Sequence, residues 1–206
     1  MSIQMNKGIL IVTSLFMFAT ACDPESGNTQ VVNTDQVQGT LNAPSLVNGR
    51  LVQEGHFTAT LPGRPARDFK VTLTNTLTRG DGDAVMEITD ESDGSQTVLA
   101  LDDEQAYGEL ETPDGDLLAA TYNADETISV GDAVFDTPEA AAEQIFSSED
   151  AADVSPESLA VASAMLDASD EGGDTATDRS AVKKAVKWVW KQIISHGITI
   201  IIKVPV

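Results

Sequence analysis

The side chains able to do chemistry are few in kind and uneven in number: 33 carboxylates, two histidines and one cysteine in 206 residues. So many carboxylates could supply the pair that glycoside hydrolysis needs. Both tryptophans, Trp188 and Trp190, lie near the C-terminus, however, and little else in the chain offers a sugar a face to stack on. Turns such as Pro113-Asp114-Gly115-Asp116 carry the oxygen ligands that calcium takes, but none has the twelve-residue loop ending in Glu. His56 sits between Gly55 and Phe57 in a strand-like stretch, where a solvent-facing histidine accounts for it without catalysis. The chain has no Gly-x-Ser-x-Gly elbow, no His-Glu-x-x-His and no Gly-rich phosphate loop. These patterns point to a non-enzymatic protein with no cofactor and no metal.

The cysteine is the informative group. Lys7 gives a short positive start, Gly8 to Thr20 is an apolar run, and Ala19-Thr20-Ala21 supplies the small residues that a signal peptidase needs. The run is shorter than the roughly 20 residues that span a bilayer. Residues 1–21 therefore read as a cleaved signal peptide, with Ala19 and Ala21 at the cleavage site. Cys22 directly after them resembles the lipobox of bacterial lipoproteins, with Ala19 where that family usually carries Leu. The resemblance implies that Cys22 is acylated (palmitate and related chains), anchoring an exported protein to a membrane of the bacterial cell envelope. Asp23 resembles the inner-membrane retention signal of some enterobacterial lipoproteins. With one cysteine there is no intramolecular disulfide, so packing alone must hold the fold. Residues 22–46, polar and turn-rich at Asp23-Pro24-Glu25-Ser26-Gly27-Asn28, read as the lipidated N-terminus and a tether.

Charge divides the rest. Asp23 to Asp178 holds all 33 acids against five bases, a net of −28, while Arg179 to Val206 carries six bases and no acid. An acidic body disfavours nucleic acid and anionic lipid, and the C-terminal segment does the opposite.

From 47 to 136 the hydrophobic period is two. In Asp68 to Thr78, Phe69, Val71, Leu73 and Leu77 alternate with Lys70, Thr72, Thr74, Thr76 and Thr78. Similar runs follow between Gly/Asp/Asn turns at the spacing of an antiparallel meander. The expected fold is mainly β, a small barrel or sandwich with Phe57, Phe69, Tyr122 and Phe135 in its core. Arg79-Gly80-Asp81, in one of the turns, resembles the tripeptide of integrin-binding loops, which also arises by chance in Gly/Asp-rich turns.

Residues 137–169 change to helical signals: Thr137 as N-cap with Pro138 and Glu139, then Ser155-Pro156-Glu157. Residues 170–178 have linker composition. In 179–206, Lys183, Lys184, Lys187 and Lys191 fall in one arc of about 100° on a helix, with Val186, Trp188, Val189 and Ile193 opposite and Trp190 and Ile194 towards the boundary. Gly197 is expected to end this helix, and Ile198 to Val204 to form a strand. Two readings of the segment stand, the membrane-engaging one first and the docked one as its alternative. In one, Lys183, Lys184, Lys187 and Lys191 meet an anionic membrane or other anionic surface while Trp188 and Trp190 enter its interface. That architecture is similar to bacteriocin or antimicrobial-peptide precursors. In the other, the helix and strand are part of the fold of a structural or ligand-binding envelope lipoprotein.

Overall fold

The period-two stretches from residue 50 onward become the fourth to the eleventh strands of the chain. The computed structural model describes residues 29–76, 84–170 and 178–203. The strands are β1 (Gln30–Asn33), β2 (Val37–Leu41), β3 (Ser45–Val47), β4 (Arg50–Ala59), β5 (Arg67–Thr76) and β6 (Ala84–Asp90). They continue as β7 (Gln96–Asp102), β8 (Tyr107–Glu111), β9 (Leu117–Tyr122), β10 (Ile128–Val130) and β11 (Ala133–Phe135). All pair antiparallel in the order β1-β2-β4-β5-β6-β7-β8-β9-β10-β11, and β3 extends the sheet by pairing with β4 beyond the end of β2. The β3–β4 connection is Asn48-Gly49, both at positive φ (51° and 79°), as a two-residue hairpin turn requires.

The sheet is open, with β1 and β11 at its two ends. The expectation of a barrel or sandwich is corrected here. Instead of closing on itself or stacking on a second sheet, it covers its apolar face with helices: α1 (Pro138–Phe146), α2 (Pro156–Asp170) and α3 (Asp178–Lys203), with a 3₁₀ turn at Glu149–Ala151. α2 packs on β1, β2, β4 and β6, α3 on β8 and β9, and α1 on β9, β10 and β11, so the helices span the face from end to end. Register fixes which residues meet them. Phe57 pairs with Phe69, Gly55 with Val71 and Val71 with Ile88, and the apolar members of these pairs are buried. Tyr122 and Phe135 pack partly buried against the same core.

A second correction concerns the tether. From Gln30 onward the residues read as a tether form β1, β2 and β3, and Val32, Val37 and Leu41 are core. Gly39 faces the ring of Phe57 across the β2–β4 pair, where an added Cβ would stand 2.7 Å from Phe57 Cγ, so this strand is fitted to the sheet.

The helix starts follow their expected caps. The Ala140 amide donates to Thr137 Oγ1 (3.2 Å), and the Ser158 amide to Ser155 Oγ (3.0 Å). α2 is buried on nearly all sides from Pro156 to Leu166, and its Ala- and Ser-rich sequence suits a helix sandwiched between the sheet and α3. Glu157, 1% exposed, is the charged exception in this stretch and ion-pairs with Arg64. Between α2 and α3, residues 171–177 of the expected linker lie outside the described residues; Asp170 ends α2 and Asp178 opens α3.

Candidate functional site

The C-terminal segment is one helix of 26 residues, ending at Lys203. This corrects the expected stop at Gly197 and the strand over Ile198 to Val204; residues 204–206 lie outside the described residues. The reason is local packing. A Cβ on Gly197 would stand 2.5 Å from Phe146 Cδ2 and 2.8 Å from its Cζ, so the glycine is a seat for an aromatic ring of α1 and not a cap. Past it, Ile198, Ile200 and Ile201 pack partly buried against the core, and that contact overrides the strand preference of the isoleucines.

Trp190 is 1% exposed and lies over Gly108 of β8, where a Cβ would come within 2.6 Å of Trp190 Cε2. Val186, Val189, Ile193 and Ile194 form a buried stripe with Trp190. Trp190 and Ile194, expected towards the boundary of the apolar face, are both fully buried. Fully burying a side chain of this kind is worth about 1.5–3 kcal/mol. Trp188 lies on the other side of the helix, 52% exposed.

The lysines named from the sequence separate. Lys183 Nζ is 2.8 Å from Asp103 Oδ2 in the β7–β8 turn, and Lys191 pairs with Asp167 of α2. Lys184 is exposed, and Lys187 is half-buried against a cavity. His196 Nε2 lies 3.8 Å from Glu143 of α1, and Ser163 and Ser195 approach at 3.4 Å between α2 and α3. The basic segment thus meets part of the acidic body within one molecule. Cys22, Ala19 and Ala21 lie outside the described residues, as does the Arg79-Gly80-Asp81 turn.

The cavity beside Lys187 has a volume of about 260 Å³. Its floor is the covered face of the sheet, from Leu73, Met86, Leu99 and Leu101. Leu166 and Ala168 of α2 and Lys187 of α3 wall it, and Gln30, Gln53 and Asn75 add polar groups. Gln30 Nε2 donates to the Ala168 carbonyl (3.1 Å), tying β1 to the end of α2 beside the cavity. Among the described lining residues Lys187 is the charged one. Sequence patterning marked Leu73 as inward and Lys187 as cationic, but no signal in it placed the two at one cavity.

A second cavity, of about 300 Å³, is lined by Val85, Ala100, Asp102, Gln105, Tyr107 and Glu109. There the Tyr107 hydroxyl donates to Glu109 Oε2 (2.7 Å); that bond, aided by partial burial and the negative charge, pushes its pKa up to about 12. His56, 72% exposed, approaches Glu91 at 2.8 Å on the surface. Among the described residues no group of three or more His, Cys, Asp or Glu side chains is placed to hold a metal ion. No described helix is long and apolar enough to cross a membrane.

No protein-family model, curated protein or solved structure matches the chain.

Proposed function

We propose that this is an exported bacterial envelope lipoprotein, anchored through acylated Cys22, whose β-rich domain is a non-enzymatic binding module with the C-terminal helix built into its core. The observation that carries the second half of this reading is the seat of Trp190 on Gly108, continued by Gly197 against Phe146. Both contacts need the helix in place, and the cavity it walls supplies the binding site. The anchoring half rests on Ala19-Thr20-Ala21-Cys22. On this reading the basic segment is not a peptide awaiting release, because its apolar stripe and two of its lysines are already engaged.

One observation favours a milder form of membrane engagement. Trp188 is exposed on the outer side of α3, and it can enter a membrane interface while the helix stays docked.

The two tryptophans make the test direct. In the chain carrying Cys22→Ser, a Trp188→Phe variant reports Trp190 alone, and a Trp190→Phe variant reports Trp188 alone. The expected result is blue emission from Trp190 that anionic vesicles leave unchanged, and red emission from Trp188 that moves to the blue if the outer face meets lipid. Red emission from Trp190 in buffer would overturn the docked reading. Incorporation of an alkynyl fatty acid by the wild-type chain, lost on Cys22→Ser, tests the anchor.

A further inference from the structure

We propose that Asn48-Gly49, the turn between β3 and β4, is a site of spontaneous modification: Asn48 loses ammonia and becomes an isoaspartyl residue, and that change releases β3 from the sheet.

The sequence singles out the pair. Of the seven asparagines in the chain, Asn48 alone is followed by glycine. The backbone nitrogen of the following residue is the nucleophile in this reaction, and glycine, having no Cβ, leaves it least shielded and its backbone freest to rotate. An added Cβ on Gly49 would meet no heavy atom within 4 Å, so the turn stands in open space. Every residue from Pro44 to Arg50 is exposed, and among the described residues no hydrogen bond holds the Asn48 side chain. Asn123 shows the contrast: its side chain donates to Thr127 Oγ1 (2.9 Å) and Ser129 Oγ (2.8 Å), and its successor is Ala124.

Water is the one co-reactant. The Gly49 nitrogen gives up its proton and bonds to Asn48 Cγ; the Cγ–Nδ2 bond breaks, and ammonia leaves with that proton, closing a cyclic imide. Water then opens the ring. Attack at Cγ leaves an aspartyl residue, whereas attack at the backbone carbonyl leaves an isoaspartyl residue, whose main chain runs through Cγ and is longer by a methylene. Ring closure requires Asn48 to rotate out of the left-handed turn, in which its φ is 51°. Opening costs little there, because β3 has three residues, all exposed, and pairs with β4 alone.

The consequence is confined to one end of the sheet. A two-residue hairpin turn needs its own backbone geometry at both positions, and an added main-chain carbon destroys it. So short a strand does not keep its place without the turn. β4 remains, since ten of its residues pair with β5 on the other side. The modified molecule thus keeps its core, frees Leu46 and Val47, and leaves the edge of β4 from Arg50 to Val52 unpaired, where another chain can add.

The test holds the purified Cys22→Ser chain in mildly alkaline buffer, folded and, in parallel, unfolded in guanidinium chloride. Peptide mass spectrometry and enzymatic methylation of isoaspartate follow each asparagine. Asp-Gly pairs isomerise without losing ammonia, so ammonia release and the gain of a negative charge report asparagine alone. In the folded chain Asn48 should convert first, with the other six behind it, and Asn48→Gly, which keeps a residue suited to positive φ, should abolish the early product. In the isolated isoaspartyl species the backbone NMR shifts of Ser45 to Val47 should move to unstructured values while the urea midpoint stays unchanged. Asn48→Asp carries the new charge without the longer main chain and should keep those shifts strand-like. A folded chain whose Asn48 stays intact over the time in which the unfolded chain converts, or in which another asparagine leads, overturns the site. Strand-like shifts at Ser45 to Val47 in the isoaspartyl species overturn the release.

Discussion

Gly197→Ala turns the placement of α3 into a question of sign. In an isolated or detached helix, replacing an interior glycine with alanine stabilises by about 0.8–1.0 kcal/mol, because alanine loses less backbone entropy on folding. In the docked helix the same methyl group meets the Phe146 ring at 2.5 Å (Cδ2) and 2.8 Å (Cζ). Carbon atoms rest at about 3.5–4.0 Å, so the approach is too close by about 1 Å at both ring atoms. Phe146 is itself buried at the end of α1, which packs on α3, and has little freedom to swing aside. Overpacking of this kind costs about 1–3 kcal/mol, and the helix-propensity gain offsets at most the lower end. The expected net result is a destabilisation of up to about 2 kcal/mol, read as a lower midpoint in urea with an unchanged slope. Phe146→Leu removes the obstructing ring edge, so in that background Gly197→Ala should become neutral or stabilising, a reversal that a double-mutant cycle isolates. A wild-type background in which Gly197→Ala raises the midpoint would refute the argument, because it would mean that the helix at Gly197 packs on nothing.

Arg64→Ala leaves the Glu157 carboxylate buried without its cation and should cost about 3 kcal/mol in urea unfolding, a loss that Glu157→Met on top of it largely restores. Asp153 shares a hydrogen bond with Asp114, whose charge, together with weaker desolvation and the charge of Asp116, also holds the Asp153 carboxyl above its usual pKa. A raised carboxyl stabilises the fold when protonated and loses that contribution as pH rises through the folded value. Asp153→Asn should therefore raise the melting temperature at pH 7, with a gain that shrinks as the pH is lowered into the carboxylate range. Tyr107 follows the same sign: its contribution is full below pH 10 and is lost as pH climbs towards about 12, so Tyr107→Phe should flatten the alkaline end of the stability profile.

Much of the sheet was legible because alternation reports directly on a face. Residues 50 to 135 carry Phe57, Phe69, Val71, Ile88 and Leu99 inward at period two, and the Asp/Gly turns between them mark the strand ends. Thr137 and Ser155 announced two helices through their side-chain oxygens. What alternation does not report is what covers the face. Closing a barrel and covering an open sheet with helices ask the same pattern of the strands, and the difference lies in α2, whose Ala- and Ser-rich sequence has no strong apolar side because it is buried nearly all round. β1 and β2 are short and polar in composition, and their membership of the sheet depends on Val32, Val37 and Leu41 and on Gly39 admitting the Phe57 ring. In α3 the lysine arc set the expected phase of the helix, while the true phase follows Val186, Val189, Trp190, Ile193, Ile194 and Gly197, a stripe with a glycine where a cap was expected. A helix read with Gly197 as part of the buried stripe would have run on through Ile198. The cavity depends on register across five strands and on where α3 docks, and neither is a local property.

Along the main path of the sheet nearly every strand pairs with its neighbour in sequence, so each pairing has only a short loop to close. Its apolar face is covered in a different order. The residues of α3 are made after every strand, and until they arrive Gly108, Leu110 and Leu118 on β8 and β9 lack the helix that packs over those strands. A growing chain in that state is a candidate for sticking to its copies. The surplus of acid in the same segment gives such intermediates a strong mutual repulsion, and the late, basic helix then removes part of that charge as it covers the face. The charge division along the chain thus places the largest net negative charge on the chain after its last strand and before the basic helix is added.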